Sequence, residues 1–400
     1  MKRRILSVVS VVLAAVLLLG LIPGCSDNPD PTPPIHGNNT TKPTVSDTEP
    51  VDRGMVRLYS CNGRWLSALE PVAARYTELT GIPVLLMGAQ EDGCQQTLAR
   101  LLESENAPTV LCVHSQSQLL ELKEILLPLQ NTAFGAELCA NSFGLYAGGN
   151  LMAVPMGMEG FGLLVNAEVL ATKGALSRND ITDMKSLATA VQILKDNSVK
   201  AFPSTPLDIL SALYLLQSNQ PDELRTFLDL YLNNCIKSGD AQTQFQNGEC
   251  AFYLGGTWDY AVLTSQDDQK LQVRNLDILP TYAAGGIQYI FSAAWAVNGN
   301  VGQLDVDATL EFLAWLVTGG EDSAAPVDAL QVITPFADAG WYGNHLEKKL
   351  LGYRTTEAAT LCWMPGSGDY TKLLTALQVY MDSRTDQNWQ FLLNILEKTE

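Results

Sequence analysis

The chain has 400 residues, 46% of them hydrophobic and 17% charged, an ordinary globular balance. Its formal net charge of −18 excludes nucleic acid and anionic lipid surfaces as electrostatic partners, because both require basic patches. A globular part of about 350 residues exceeds what one core supports, so two lobes are expected.

In chain order, the first signal is N-terminal. Lys2, Arg3 and Arg4 precede an apolar run from Ile5 to Leu21, which closes on Ile22, Pro23, Gly24 and Cys25. A basic start, a short hydrophobic stretch and a small residue at the cut mark a secretory signal, too short and wrongly flanked for a membrane span. Gly24 before Cys25 resembles the bacterial lipobox, in which the thiol is lipidated and the upstream peptide removed; an ordinary signal peptide with a chance cysteine is the alternative. Residues 1–24 then form the signal, and Cys25 anchors the mature protein outside the cell membrane, stably so if two or more acyl chains insert. From Ser26 to Gly54 the chain holds Pro29, Pro31, Pro33, Pro34, Pro43 and Pro50 among Thr, Asn and Asp. Such a stretch buries too little to offset its ordering entropy, which predicts a disordered linker over 25–54. Extended, it reaches up to roughly 90 Å. No later stretch holds eighteen consecutive apolar residues, the length of a span.

Beyond the linker, Val56–Ser60 alternates as a strand. A helix follows to Thr80, with Leu69, Val72, Ala73, Tyr76 and Leu79 on one face. Pro71 is expected near its start, because a proline deep inside a helix breaks it. Ile82–Met87 reads as a second strand, Leu98, Leu101 and Leu102 mark the next helix, and Thr109–Val113 reads as the third strand. Strands alternating with helices predict parallel β-α-β units. In such sheets ligands bind beyond the carboxyl ends of the strands. Those ends carry Asn62, Gln90, His114 and Gln116, which become candidate ligand-binding residues; His114 reads equally well as a loop histidine. Later, Pro221 opens a helix with Asp222 and Glu223 in its first turn and a buried stripe of Leu224, Phe227, Leu228, Tyr231 and Cys235. A helix over 307–318 stops at Gly319 and Gly320. Two more helices close the chain, with Leu373, Leu374, Leu377 and Tyr380 on one and Trp389, Leu392, Ile395 and Leu396 on the other.

With Cys25 lipidated, seven cysteines remain, so at least one thiol outside the cytoplasm is unpaired, and the pairing is not readable from sequence. No Cys-x-x-Cys and no Cys/His cluster stands in the sequence, so no metal site is expected. Most cysteines are read as small buried hydrophobes rather than disulfides.

Two segments carry a family resemblance. Leu151–Leu170 resembles the crossover in solute-binding proteins of ABC importers, of the carbohydrate-binding type similar in layout to maltose-binding proteins. An apolar strand, Pro155, a few cleft-facing residues and a strand ending in Asn166 fall at the matching places. Glu159 stands where such proteins turn a glutamate toward the sugar. Phe245–Leu263 is similar to the family's Phe-x-x-Gly-x-x-Ala strand followed by Gly-x-Trp, with Trp258 where a tryptophan lies under the ligand. Weaker similarities run through Thr80–Val84, Leu127–Leu129, Ile278–Asn300 and Ala308–Thr318. Thr109 departs from the family's usual Pro-Asp before the third strand, and the first-lobe loops are poor in the Asp and Trp of sugar binders. The resemblance implies an α/β, two-lobed periplasmic-binding-protein fold (type II), each lobe a mostly parallel sheet flanked by helices, joined by a multi-strand hinge. One lobe would hold 55–153 and 288–345, the other 154–287 and 346–400, with crossings near 153, 287 and 346.

Sugars present apolar C–H faces ringed by hydroxyls, so a binder needs aromatic platforms with Asp, Glu, Asn or Gln at their edges. Trp258, Trp363 and Tyr370 are the candidate platforms, each with a core-packing alternative. Glu159 is the candidate acceptor, its alternative a solvated hinge carboxylate. Trp65 and Trp295 read as packing residues. Enzyme signatures are weak. Gly366–Gly368 lacks the spacing of a nucleophile elbow. Only His114 and His345 beyond the linker could serve a serine triad, and Gly255–Gly256 precedes Thr257 and Trp258 rather than the Lys-Ser/Thr of a phosphate loop. A carboxylate pair of Glu159 with Asp259 or Asp369 leaves glycoside hydrolysis open. The expected function is a non-enzymatic, membrane-tethered solute-binding protein without cofactor, delivering a sugar or oligosaccharide to ABC permease subunits and working as a monomer. The alternatives are a ligand-binding sensor component and a surface glycoside-processing enzyme.

Overall fold

The computed structural model describes residues 52–88, 93–204, 221–265, 273–283, 286–320, 324–354, 359–363 and 367–396. Cys25 and Gln90 lie outside them. Eleven strands form two sheets among the described residues. The strands are β1 (Val56–Ser60), β2 (Val84–Gly88), β3 (Val110–Val113), β4 (Leu145–Ala147), β5 (Asn150–Pro155), β6 (Glu159–Asn166), β7 (Phe252–Gly256), β8 (Leu276–Leu279), β9 (Ile287–Phe291), β10 (Ala294–Val297) and β11 (Ala359–Trp363). The first sheet has the order β2-β1-β3-β10-β5-β4; the second runs β11-β9-β6-β7, with β8 also paired to β6.

Parallel ladders join β1 to β2 and β3, as the β-α-β reading of the N-terminal half expects. The rest of the first sheet is antiparallel, and the second is parallel only between β11 and β9. The sheets are therefore mixed rather than mostly parallel. In the first sheet the cause is topological: β10 enters from the second sheet and runs against β3 and β5, its neighbours; in the second, β6 runs against β7, β8 and β9.

Burial on both faces explains why β3 is an unbroken apolar run. Val110 and Cys112 join the core with Trp65, Leu69, Tyr76 and Phe312, whereas Leu111 and Val113 join that of Cys94, Leu98 and Leu119. The second sheet repeats this plan, Leu163 and Val165 facing Leu187, Leu228 and Leu377, and Leu164 facing Leu346 and Leu350.

Helix α1 (Gly63–Thr80) starts at Asn62, whose side chain accepts from the Trp65 N–H at 3.2 Å, and ends on Gly81 at φ 76°. A left-handed residue there suits glycine. Pro71 does not lie near the start: the cap places it mid-helix, on the exposed side, where it offers no N–H to the preceding turn. Leu79 is also a correction. The buried stripe is Trp65, Leu69, Ala73 and Tyr76, and Leu79 is 58% exposed. Helices α2 (Cys94–Leu102) and α3 (Gln116–Leu122) follow β2 and β3. The expected helix over 307–318 begins earlier, at Gln303, with Asp305 bridging buried Arg57 at 2.6 Å.

The chain passes between the sheets at 156–158 and 292–293, since Pro155 still pairs with Ala294 and Phe291 with Trp363. Those points lie a few residues beyond the expected 153 and 287. Met156 donates to the Ala293 carbonyl at 3.1 Å and Met158 to that of Ile333 at 2.7 Å. A Cβ at Gly157 would come within 2.7 Å of Val332, so three stretches of chain meet closely there. Among the described residues no helix is long and apolar enough to cross a membrane.

Candidate ligand-binding site

Because β1 and β3 are parallel neighbours, the segments that follow them emerge at one sheet edge. A cavity of about 370 Å³ opens there. Asn62 and Trp65 of the α1 start line it, with Cys94, Gln95 and Gln96 of α2, His114 after β3, and Ser292 at the crossing. Asn62 thus caps α1 and borders the cavity. His114 is pinned on two sides: its N–H donates to Gln118 Oε1 at 2.8 Å, and its Nδ1 lies 3.3 Å from the Ser292 carbonyl. Gln116, half-buried at the start of α3, is not among the residues lining this cavity.

Cysteine chemistry departs from the sequence reading at this spot. Cys61 and Cys94 form a disulfide with Cα atoms 5.8 Å apart. Cys112, Cys139, Cys235, Cys250 and Cys362 stand outside that disulfide, three of them buried. A Cys/His cluster, unseen in the sequence, is present: ligand atoms of Cys61, Cys94 and His114 lie within 4.8 Å of one another. Spacings of 33 and 20 residues match no local motif. The parallel pairing of β1 with β2 and β3, which the three residues follow, unites them.

A second group of polar and aromatic side chains comes from β6 and β7, which pair antiparallel with Phe161 opposite Gly256. That register sets Glu159 beside the residues after Gly256. The Thr257 hydroxyl donates to the Glu159 carboxylate, and the Gly160 N–H reaches Thr257 Oγ1 at 3.3 Å. Asp259 Oδ2 accepts from the Gly256 N–H at 3.0 Å. Trp258 is 42% exposed. Its ring lies so close over Gly256 that a Cβ there would stand 2.3–2.5 Å from indole carbons. It also stacks on Phe161, centroids 6.1 Å apart and planes 19° from parallel. The indole is backed by protein while much of its surface stays open, as a platform requires.

Burial pushes the Asp259 carboxyl up to about 6, with the Glu159 charge adding to it and the Gly256 N–H opposing. Glu159, solvent-exposed as a residue, is also held above the usual carboxylate range. Desolvation of its carboxyl is the main cause and the Glu347 charge a lesser one, while the Thr257 hydrogen bond and Arg64 act against them. Arg64 belongs to the first turn of α1, so Glu159 lies within electrostatic reach of that helix start. In the sequence Thr257 stands out only as a departure from a phosphate loop, and Asp259 only as a hydrolytic partner. Both flank Trp258 in Gly-Thr-Trp-Asp, which was the available signal.

Trp363 is half-buried against Phe291, centroids 4.2 Å apart, so at least one of its faces is taken by packing. Tyr370 lies in the helix Ser367–Asp382 with its side chain outside the described residues.

Residues 72–340 match the family described as bacterial extracellular solute-binding protein. No curated protein matches the chain in sequence. Among solved structures, the chain is similar to the bacterial solute receptor AcbH, at 12% identity and a TM-score of 0.65 over 87% of this chain and 98% of that one. It is similar to a family 1 extracellular solute-binding protein from Alicyclobacillus acidocaldarius, at 14% identity and a TM-score of 0.65 over 88% and 98%. A sugar transporter from Rhizobium etli, in an open conformation, gives 15% identity and a TM-score of 0.62 over 86% and 100%. These likenesses show the fold, a type II periplasmic-binding-protein architecture.

Proposed function

This chain belongs to the bacterial extracellular solute-binding proteins, and from that membership we propose that it captures a sugar or oligosaccharide for an ABC permease. The observation that carries the reading is Trp258, an indole seated on Gly256 and open to solvent, beside the Glu159–Thr257 pair. A flat apolar face next to a carboxylate acceptor suits the C–H and O–H groups of a pyranose. Asn62, Gln95 and Gln96 supply further polar groups at the cavity beyond β1 and β3. AcbH is described as having an exclusive preference for β-D-galactopyranose, and the Rhizobium etli protein as a sugar transporter; both names support a carbohydrate here.

The two sheets are the cores of two lobes, which close by rotating about the crossings at 156–158, 292–293 and the chain beyond Ile333. The protein works as a monomer, without catalysis. Cys25 carries the lipid anchor, and the proline-rich linker spaces the lobes from the membrane. Calorimetric titration of the full-length protein with D-galactose and a panel of oligosaccharides tests the reading. Saturable sugar binding, with a smaller radius of gyration in solution scattering, is the expected result. Binding of a peptide or polyamine with no sugar bound would remove the carbohydrate assignment and leave the solute-binding role. For the anchor, Cys25→Ser should be released from membranes; a variant still acylated and retained would overturn it.

A further inference from the structure

We propose that Cys61, Cys94 and His114 form, in the dithiol state, a binding site for zinc at the edge of the solute cavity. The zinc site and the disulfide would be alternative states of the same two cysteines. Three observations support it independently of which solute the protein carries. The three ligand atoms lie within 4.8 Å of one another. Zinc–sulfur and zinc–nitrogen bonds of about 2.3 and 2.0 Å place the ligands of a tetrahedral site just under 4 Å apart, so small side-chain rotations suffice. The contact of His114 Nδ1 with the Ser292 carbonyl fixes the tautomer in which Nδ1–H donates and Nε2 keeps its lone pair, the orienting arrangement of ligating histidines. Cys94 is the first residue of α2, a nine-residue helix, whose N-terminal dipole favours thiolate.

Reduction by a small-molecule thiol is balanced. Two RSH reduce the Cys61–Cys94 disulfide to two cysteine thiols and leave RSSR. On binding zinc each thiol gives its proton to solvent, and two thiolates with a neutral imidazole cancel the dication's charge. The fourth position opens on the cavity beside Asn62, Gln95 and Gln96 and is left to an oxygen ligand, as in open Cys2His zinc sites. Cys112, held at about 12 by burial, stays a thiol and does not compete.

The test uses the full-length protein, oxidised or reduced with a phosphine, titrated with Co²⁺ as a spectroscopic probe and with Zn²⁺ against a chromophoric chelator. The reduced protein should show thiolate-to-cobalt charge-transfer absorption and bind one Zn²⁺ per chain, and the oxidised protein should show neither. Cys61→Ser and Cys94→Ser should each abolish the absorption. His114→Gln should weaken Zn²⁺ by tenfold or more, the least expected from losing a ligand when outer partners alone cost about 10–100-fold. The other six cysteines remain in every variant, so background binding to them cancels. Absence of the absorption in the reduced wild type would overturn the proposal, as would an undiminished signal in the Cys61→Ser/Cys94→Ser double variant.

Discussion

Replacing Trp258 by alanine removes the platform while leaving its surroundings in place. A tryptophan presents up to about 250 Å². With the residue 42% exposed, roughly 100 Å² is open to a ligand. Covering that area at about 25 cal/mol per Å² is worth about 2.5 kcal/mol, or about 60-fold in affinity at 1.4 kcal/mol per decade. The stability cost is smaller, because the ring's stacking on Phe161 contributes only about 0.5–1.5 kcal/mol beyond area burial. Trp258→Ala should therefore weaken sugar binding between tenfold and this ceiling, with the melting temperature falling by a few degrees at most. Trp258→Phe, which keeps a flat ring, should recover part of the loss. Gly256→Ala should also weaken binding, because its Cβ would displace the indole. Calorimetric titration with the best sugar, paired with thermal melts, is the assay. If Trp258→Ala binds that sugar as tightly as wild type, the platform reasoning is wrong. If the melting temperature collapses instead, Trp258 belongs to the core.

Glu159→Gln keeps the size of the side chain but removes its charge. A hydrogen bond to a charged group is worth about 1.5–3 kcal/mol, so sugar affinity should fall about tenfold or more with little change in melting temperature; unchanged affinity would exclude Glu159 from the site. Asp259 titrates near 6 in the folded chain against 3.8 for the free side chain. The folded state therefore holds the proton more tightly, and this contribution to stability is lost as pH rises across that window; melts of Asp259→Asn should lack that component, and an unaltered pH profile would count against it. Arg354 is buried and donates to the carbonyls of Thr334, Phe336 and Ala339. Arg354→Met leaves those acceptors unpaired at about 1–3 kcal/mol each, so a loss of at least about 3 kcal/mol is expected in chemical denaturation, and one below about 1 kcal/mol would show that other donors replace it.

Local signals were readable wherever a rule acts over a few residues. The β1 and β3 runs, the Gly81 stop of α1, the Pro221 start and the Trp389, Leu392 and Leu396 stripe all follow from period, cap and breaker chemistry. Glu159 and Trp258 were marked by resemblance, and the register of β6 on β7 sets them side by side. Pro71 does not mark where its helix begins, because the side-chain cap at Asn62 outweighs the proline.

What the sequence by itself determined is the class: alternating strands and helices, two cores, a solute-binding family. Direction of pairing, and which distant residues share a cavity, were decided only by the tertiary structure. The first sheet is mixed because β10 arrives from the second, information held by no segment's own composition. Cys61, Cys94 and His114 likewise share no spacing rule. They meet because parallel strands release their chain at a common edge, so the contact exists only once the sheet has formed.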